Sequence, residues 1–141
     1  MLAILDNSSI NSLNTRTKPC FISYIHEERY RLCIERVLKR QPPGAGALFY
    51  IISGCDELWK AGVETFFDFE KGAAISAWED GNTLSENGSN LLRLGYYLVS
   101  GFSRDSLIQN LGNYIAGLEY VHLELAIEAL KLALYPGMYE S

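Results

Sequence analysis

Six consecutive apolar residues, Ala47-Leu48-Phe49-Tyr50-Ile51-Ile52, leave no polar side on which this segment could meet water. Whatever its backbone, such a run belongs inside a core. Periodicity does not separate strand from helix over so short a stretch. Two neighbours favour helix: the run lies between helical patterns, and Gly54 stands where a helix C′ residue would. Asp56 can then cap a further turn or two carrying Leu58 and Trp59, ending near Gly62. The chain has 141 residues. That length suits one domain, which buries about two thirds of the surface its unfolded form exposes, so neither a disulfide nor a metal is needed to hold it together.

Helical periodicity is clearest just before this run. Tyr30, Cys33, Ile34, Val37 and Leu38 fall on one face, Ser23 is placed as an N-cap, and Pro42-Pro43-Gly44 ends the helix. Glu27 to Arg31 and Glu35 to Lys39 are spaced for i,i+4 pairing. Beyond Thr83-Leu84-Ser85-Glu86, which matches a capping box, Leu91, Leu94, Leu98 and Phe102 share a face with Gly95, whose missing side chain permits a close neighbour. Leu107, Ile108 and Leu111 make a shorter helix stopped by Gly112-Asn113. The last helix, about 118 to 135, is apolar around most of its girth and is therefore expected at the centre of the bundle.

Between these helices Phe67 and Phe69 alternate with Asp68 and Glu70, and Lys71-Gly72 can turn the chain back into Ala73-Ala74-Ile75. A lone hairpin is marginal in water and has to lean on the helices. Asp80-Gly81-Asn82 is a turn signal. The fold class expected is mainly α, a compact bundle of about five or six helices with a small β-hairpin. Residues 1–19 read as a poorly ordered polar segment and 20–141 as a single helical domain. The expected core includes Leu48, Phe49, Ile51, Leu94, Leu98, Leu125 and Ile127.

The segments Leu48-Phe49-Tyr50-Ile51-Ile52-Ser53-Gly54, Asp68-Phe69-Glu70 and Leu91-Leu92-Arg93-Leu94-Gly95-Tyr96-Tyr97-Leu98, in that order, resemble a family of small uncharacterised proteins from Gram-positive bacteria and their mobile elements. The resemblance covers roughly residues 21–135. It implies a bacterial or phage cytoplasmic setting and a largely helical fold, and it transfers no catalytic residue.

Several function classes are argued against by the residues themselves. No run approaches the roughly 18 apolar residues of a membrane span, and Met1–Leu5 is too short for a signal-peptide core. Cys20, Cys33 and Cys55 are an odd, scattered set, which fits a reducing, cytoplasmic compartment. With only His26 and His122 beside them, the ligand spacing of a zinc site is missing. Neither a phosphate-binding loop nor a dinucleotide fingerprint is present. No cofactor is expected. The stretch 16–40 is basic, net +4, while 56–86 is acidic, net −6. An overall pI near 5.0 argues against direct nucleic-acid binding. Either the two segments attract each other within the fold or one of them steers a charged partner.

Candidate site residues follow from the acidic segment and the aromatics. Asp68 and Glu70 would share one side of a strand, with Glu79 and Asp80 shortly after; such carboxylates can bind a divalent cation or serve as acid and base. Asp68, flanked by phenylalanines, needs a partner if buried, and Arg93 is the first choice. Tyr96 and Tyr97, among nine tyrosines, are adjacent on one helix and suit either the rim of a core or an interface. His26 and His122 read as structural histidines. The function expected is a non-enzymatic interaction domain that binds another protein or a second copy of itself. Its sharper form is a mobile-element inhibitor or regulator that docks the acidic face on a larger nucleic-acid enzyme. The alternative is a small metal-dependent hydrolase using Asp68, Glu70 and His26.

Overall fold

The apolar run is a helix, and it is the axis of the molecule. The computed structural model describes residues 19–37, 44–75, 84–100 and 103–135. Among these, α1 spans Tyr24–Glu35, α2 Ala45–Gly54, α3 Asp56–Ala61, α4 Glu86–Val99, α5 Arg104–Ile115 and α6 Tyr120–Leu134. A single 3-10 turn, Val63–Thr65, leads into a hairpin of β1, Phe67–Asp68, and β2, Ala73–Ala74. This is the mainly α bundle with one small hairpin that the periodicities imply. The polar segment up to Lys18, the prolines at 42–43, Asp80-Gly81-Asn82, and Glu79 lie outside the described residues.

Helix α2 packs against α1, α3, α4 and α6. All of its residues from Ala47 to Ser53 are buried. Two glycines allow this crowding. Gly44, at φ 85°, is the N-cap of α2, and a Cβ there would collide with the Leu98 carbonyl of α4. Gly95 of α4 meets α2 directly: a Cβ would stand 2.7 Å from Leu48 Cδ1. Leu48, Phe49, Ile51, Leu94, Leu98 and Leu125 are all in the core.

Two expectations about α6 are corrected. It does not lie at the centre, a place taken by α2. Nor is Ile127 a core residue, since it is 44% exposed. Leu125, Ala126, Ala129 and Leu132 form the buried face, and Ile127 stands about 200° around the helix from Leu125. An apolar girth signals burial only when neighbours exist on every side, and among the described residues α6 packs on α2 and α4 through one face.

Helix ends differ in instructive ways. Ser23 caps α1 as expected, accepting from His26 N–H at 3.0 Å, but the helix stops at Glu35. Arg31 pairs with Glu28, one turn back. Helix α5 passes through Gly112-Asn113 and ends at Ile115, before Gly117 at φ 85°. The cap of α4 is Ser85, accepting from Gly88 N–H at 3.0 Å. In a capping box the third helical residue would return a carboxylate to the N-cap amide. Gly88 occupies that place, and Glu57 of α3 supplies the carboxylate, accepting from Ser85 N–H at 2.7 Å and Ser85 Oγ at 2.6 Å. A Cβ on Gly88 would collide with Glu57 Oε1, so the glycine is what admits it.

The hairpin pairs Phe67 with Ala74 and Asp68 with Ala73. It leans on the helices as predicted. Phe67 packs edge-on against Phe49 of α2 at 4.8 Å, and Phe69 stacks on Phe49 at 5.6 Å. Tyr96 of α4 donates its hydroxyl to Phe66 O at 2.8 Å and to Ile75 O.

Candidate functional site

Helix α1 carries apolar residues beyond its buried face. Cys33 is buried, and Tyr30, Ile34 and Val37 pack on the core. Ile25 and Leu32, two turns apart, stand at the flank of that face and are 59% and 52% exposed. With Arg29 they fall within about 60° of one another around the helix. The phase is set at the start of α1: the Ser23 cap aims His26 inward, and that leaves Ile25 outside.

Two grooves follow one another along this side of the helix, the first beside Ile25 and the second beside Leu32. The first, about 450 Å³, lies between the first turns of α1, the α2–α3 junction and the start of α6; Ile22, Ile25, Arg29, Val121 and His122 line it. The second, about 550 Å³, lies between the end of α1 and the α3–3-10 segment; Leu32, Arg36, Trp59 and Glu64 line it.

His26, on the inner wall of the first groove, is engaged at both nitrogens. Nδ1 accepts from Ile22 N–H at 3.2 Å, and Nε2–H donates to Tyr50 O at 3.0 Å. That pattern defines the neutral tautomer, and burial pulls its pKa down to about 4. Neither nitrogen is open to take a proton from a substrate. Burial likewise pushes the Cys33 thiol up to about 12 and raises that of Cys55, so neither is a thiolate nucleophile.

The rims are charged, and the charges are placed by α1. Arg29 donates to Asp56 Oδ1 at 2.7 Å and lies over the Trp59 ring at 5.3 Å. Arg36 donates to Glu64 Oε2 at 3.1 Å and lies over Phe69 at 4.1 Å. The hydrogen bond from Arg29 holds the Asp56 carboxyl below its ordinary range. Glu64 is lowered as well, first by its own backbone amide and then by Arg36. The basic and acidic segments therefore do meet within the fold, at these two pairs. At the α6 end, Asn87 Nδ2 donates to His122 Nδ1 and, at 3.4 Å, to Glu119 Oε1.

The residues singled out from the sequence lie elsewhere. Asp68 Oδ1 accepts from the amides of Glu70 and Lys71, both at 3.0 Å, and so organises its own turn. The strand is only two residues long, so Glu70 falls in the turn and does not share a strand face with Asp68. Arg93 donates to Asn90 Oδ1 at 3.5 Å, and no Asp68–Arg93 pair forms. Tyr96 clamps the hairpin, and Tyr97 hydrogen-bonds Ser106 while its ring lies 5.6 Å from that of Tyr114. Glu79 and Asp80 are outside the described residues. His26 does not join Asp68 and Glu70: neither carboxylate lines the groove beside it. Among the described residues no three His, Cys, Asp or Glu side chains gather as metal ligands, and no helix is long and apolar enough to cross a membrane.

In the sequence the exposed pair on α1 is masked by the stronger periodicity of Tyr30, Cys33, Ile34 and Val37. Its signal is the i,i+7 spacing of Ile25 and Leu32, which stand about 80° and 100° around the helix from Cys33. Comparison of the chain with family models, with curated proteins and with solved structures returns no match.

Proposed function

We propose that this chain is a non-enzymatic protein-interaction domain whose docking surface is the outward face of α1. The observation that carries the reading is the exposure of Ile25 and Leu32, each beside one of two grooves that follow one another along α1. Large apolar side chains grouped on a surface and rimmed by polar groups mark interaction sites more often than isolated ones do. The flanking residues are of the kind that dominate binding energy: Trp59 is half-buried, and Arg29 and Arg36 are held in place by a carboxylate and a ring each. The interaction domain expected from the sequence is thus retained, with its surface moved. Docking through the acidic segment draws less support, because Asp56 and Glu64 already engage α1.

The test compares three immobilised proteins against one bacterial lysate: the natural chain, Ile25→Asp/Leu32→Asp, and Ile127→Asp as a control at an exposed residue outside both grooves. Proteins retained by the natural chain and the control, and released by the double variant, are the expected result. Retention of the same set by all three overturns the reading, provided circular dichroism shows the double variant folded.

A further inference from the structure

We propose that Pro19–Ile22 is a strap that acid releases from the domain while the helices stay folded, with Nδ1 of His26 as its latch. This device is independent of the docking surface. Three main-chain hydrogen bonds hold the strap, each to a side chain of a different helix. Cys20 N–H donates to Glu128 Oε2 of α6 at 3.0 Å, Cys20 O accepts from the Tyr50 hydroxyl of α2, and Ile22 N–H donates to His26 Nδ1 of α1 at 3.2 Å. Between these bonds Phe21 lies edge-on to the His26 ring at 5.0 Å and tilted against Tyr30 and Tyr50 at 5.5 and 5.8 Å. Pro19 is buried. A short segment pinned through side chains can open without unwinding any helix.

Protonation places a hydrogen on Nδ1, and two donors, Ile22 N–H and Nδ1–H, then face each other. The strap has to yield, because the ring cannot. Helix α2 backs it closely: a Cβ on Gly54 would stand 2.9 Å from both Cε1 and Nε2 of His26, and Nε2–H is held by Tyr50 O at 3.0 Å. Once the strap leaves, Nδ1–H can donate to water. The open form therefore takes up a proton that the closed form resists down to about pH 4. The other ionisable groups around His26 do not hold that charge. Arg29 of α1 is itself a cation and opposes it. Asp56 is engaged by Arg29, Glu57 by the Ser85 cap and His122 by Asn87, while Cys55 is a buried thiol with a raised pKa. At the other end of the strap, Glu128 has Lys131 Nζ at 3.7 Å besides Cys20 N–H, and it is the second titratable group there.

The experiment is amide hydrogen exchange on the natural full-length chain, read residue by residue by NMR between pH 7 and pH 5 and corrected for intrinsic rates. At each pH the Cys20 and Ile22 amides should be less protected than the core amides of Leu48 and Ile51. Their opening constants should rise about twentyfold by pH 5, as for a latch that titrates near 6.5 when open and near 4 when closed. His26→Gln should remove the rise. Glu128→Gln, which keeps an acceptor for Cys20 N–H, should retain it. Protection of Cys20 and Ile22 equal to that of the core amides overturns the strap, since its opening is then global unfolding. A rise that survives in His26→Gln, or one that vanishes in Glu128→Gln, overturns the latch. If His26→Gln does not fold, the result with Glu128→Gln decides alone.

Discussion

His26 and Tyr50 are joined side chain to main chain, the imidazole donating from Nε2 to the Tyr50 carbonyl oxygen at 3.0 Å with the two rings 4.5 Å apart. Because Nδ1 is the acceptor for Ile22 N–H, the ring cannot gain a proton without breaking that bond. Its pKa falls from 6.5 to about 4, chiefly through burial. As pH drops, the unfolded chain therefore takes up the proton first. The stabilisation is complete above about pH 6.5 and is lost progressively down to about pH 4, by a total of about 3 kcal/mol. Urea midpoints measured between pH 7 and pH 4 should follow this course, and His26→Gln should flatten it. An acid limb unchanged in the variant would show that other groups cause it.

Leu125 and Ile127 make a paired test of how α6 is seated. Leu125→Ala removes a fully buried side chain and should cost about 2–5 kcal/mol. Ile127→Ala should cost under roughly 1 kcal/mol, since the residue is largely in water. Equal losses in denaturant titrations would contradict the orientation of the helix.

Glu57, Ser85 and Gly88 form a cap shared between two helices. Glu57→Ala should destabilise by about 0.5–2 kcal/mol, as loss of a capping group does. Gly88→Ala favours α4 by intrinsic propensity and displaces Glu57 at the same time. In a double-mutant cycle the two changes together should cost less than their sum, because the second removes an interaction already gone. Strict additivity would mean the carboxylate does not cap.

Thiol chemistry should separate the three cysteines. Cys20 is exposed, whereas Cys33 and Cys55 are buried with raised pKa values. A thiol reagent at pH 8 should modify one thiol of the native protein quickly, and all three only in denaturant. Substituting Cys20 by Ser should abolish the fast phase.

Much of the architecture is legible in the chain because it is written locally. The buried run at 47–52, the Ser23 cap, the Lys71-Gly72 turn and the close approach at Gly95 each depend on a few adjacent residues. Most of the misreadings arise where a distant segment decides the outcome, and Asp68 is the one decided by its own neighbours. Ile127 faces water because α6 is seated on α2 and α4 through the side that carries Leu125, Ala126 and Ala129. Ser85 displaces Thr83 as the expected cap because Glu57 arrives from α3. Asp68 turns to its own hairpin, where two amides are nearer than any arginine. The exposed pair on α1 is obscured by distant segments too: Ile25 and Leu32 look like candidates for a core until α1 has chosen Cys33, Tyr30 and Ile34 for that role.

The hydroxyl of Tyr96 has a consequence for the order in which the molecule assembles. A ladder of two residues per strand holds too few contacts to choose its own register. Here the open end carries one further backbone bond, Ile75 N–H to Phe66 O at 2.9 Å, and a phenol from α4 shared between Phe66 O and Ile75 O. The hairpin thus takes its alignment from a helix that follows it in the chain. During folding it should be among the last elements to set, with low φ-values at Phe67 and Ala74 and higher ones where α2 meets α4 at Leu48.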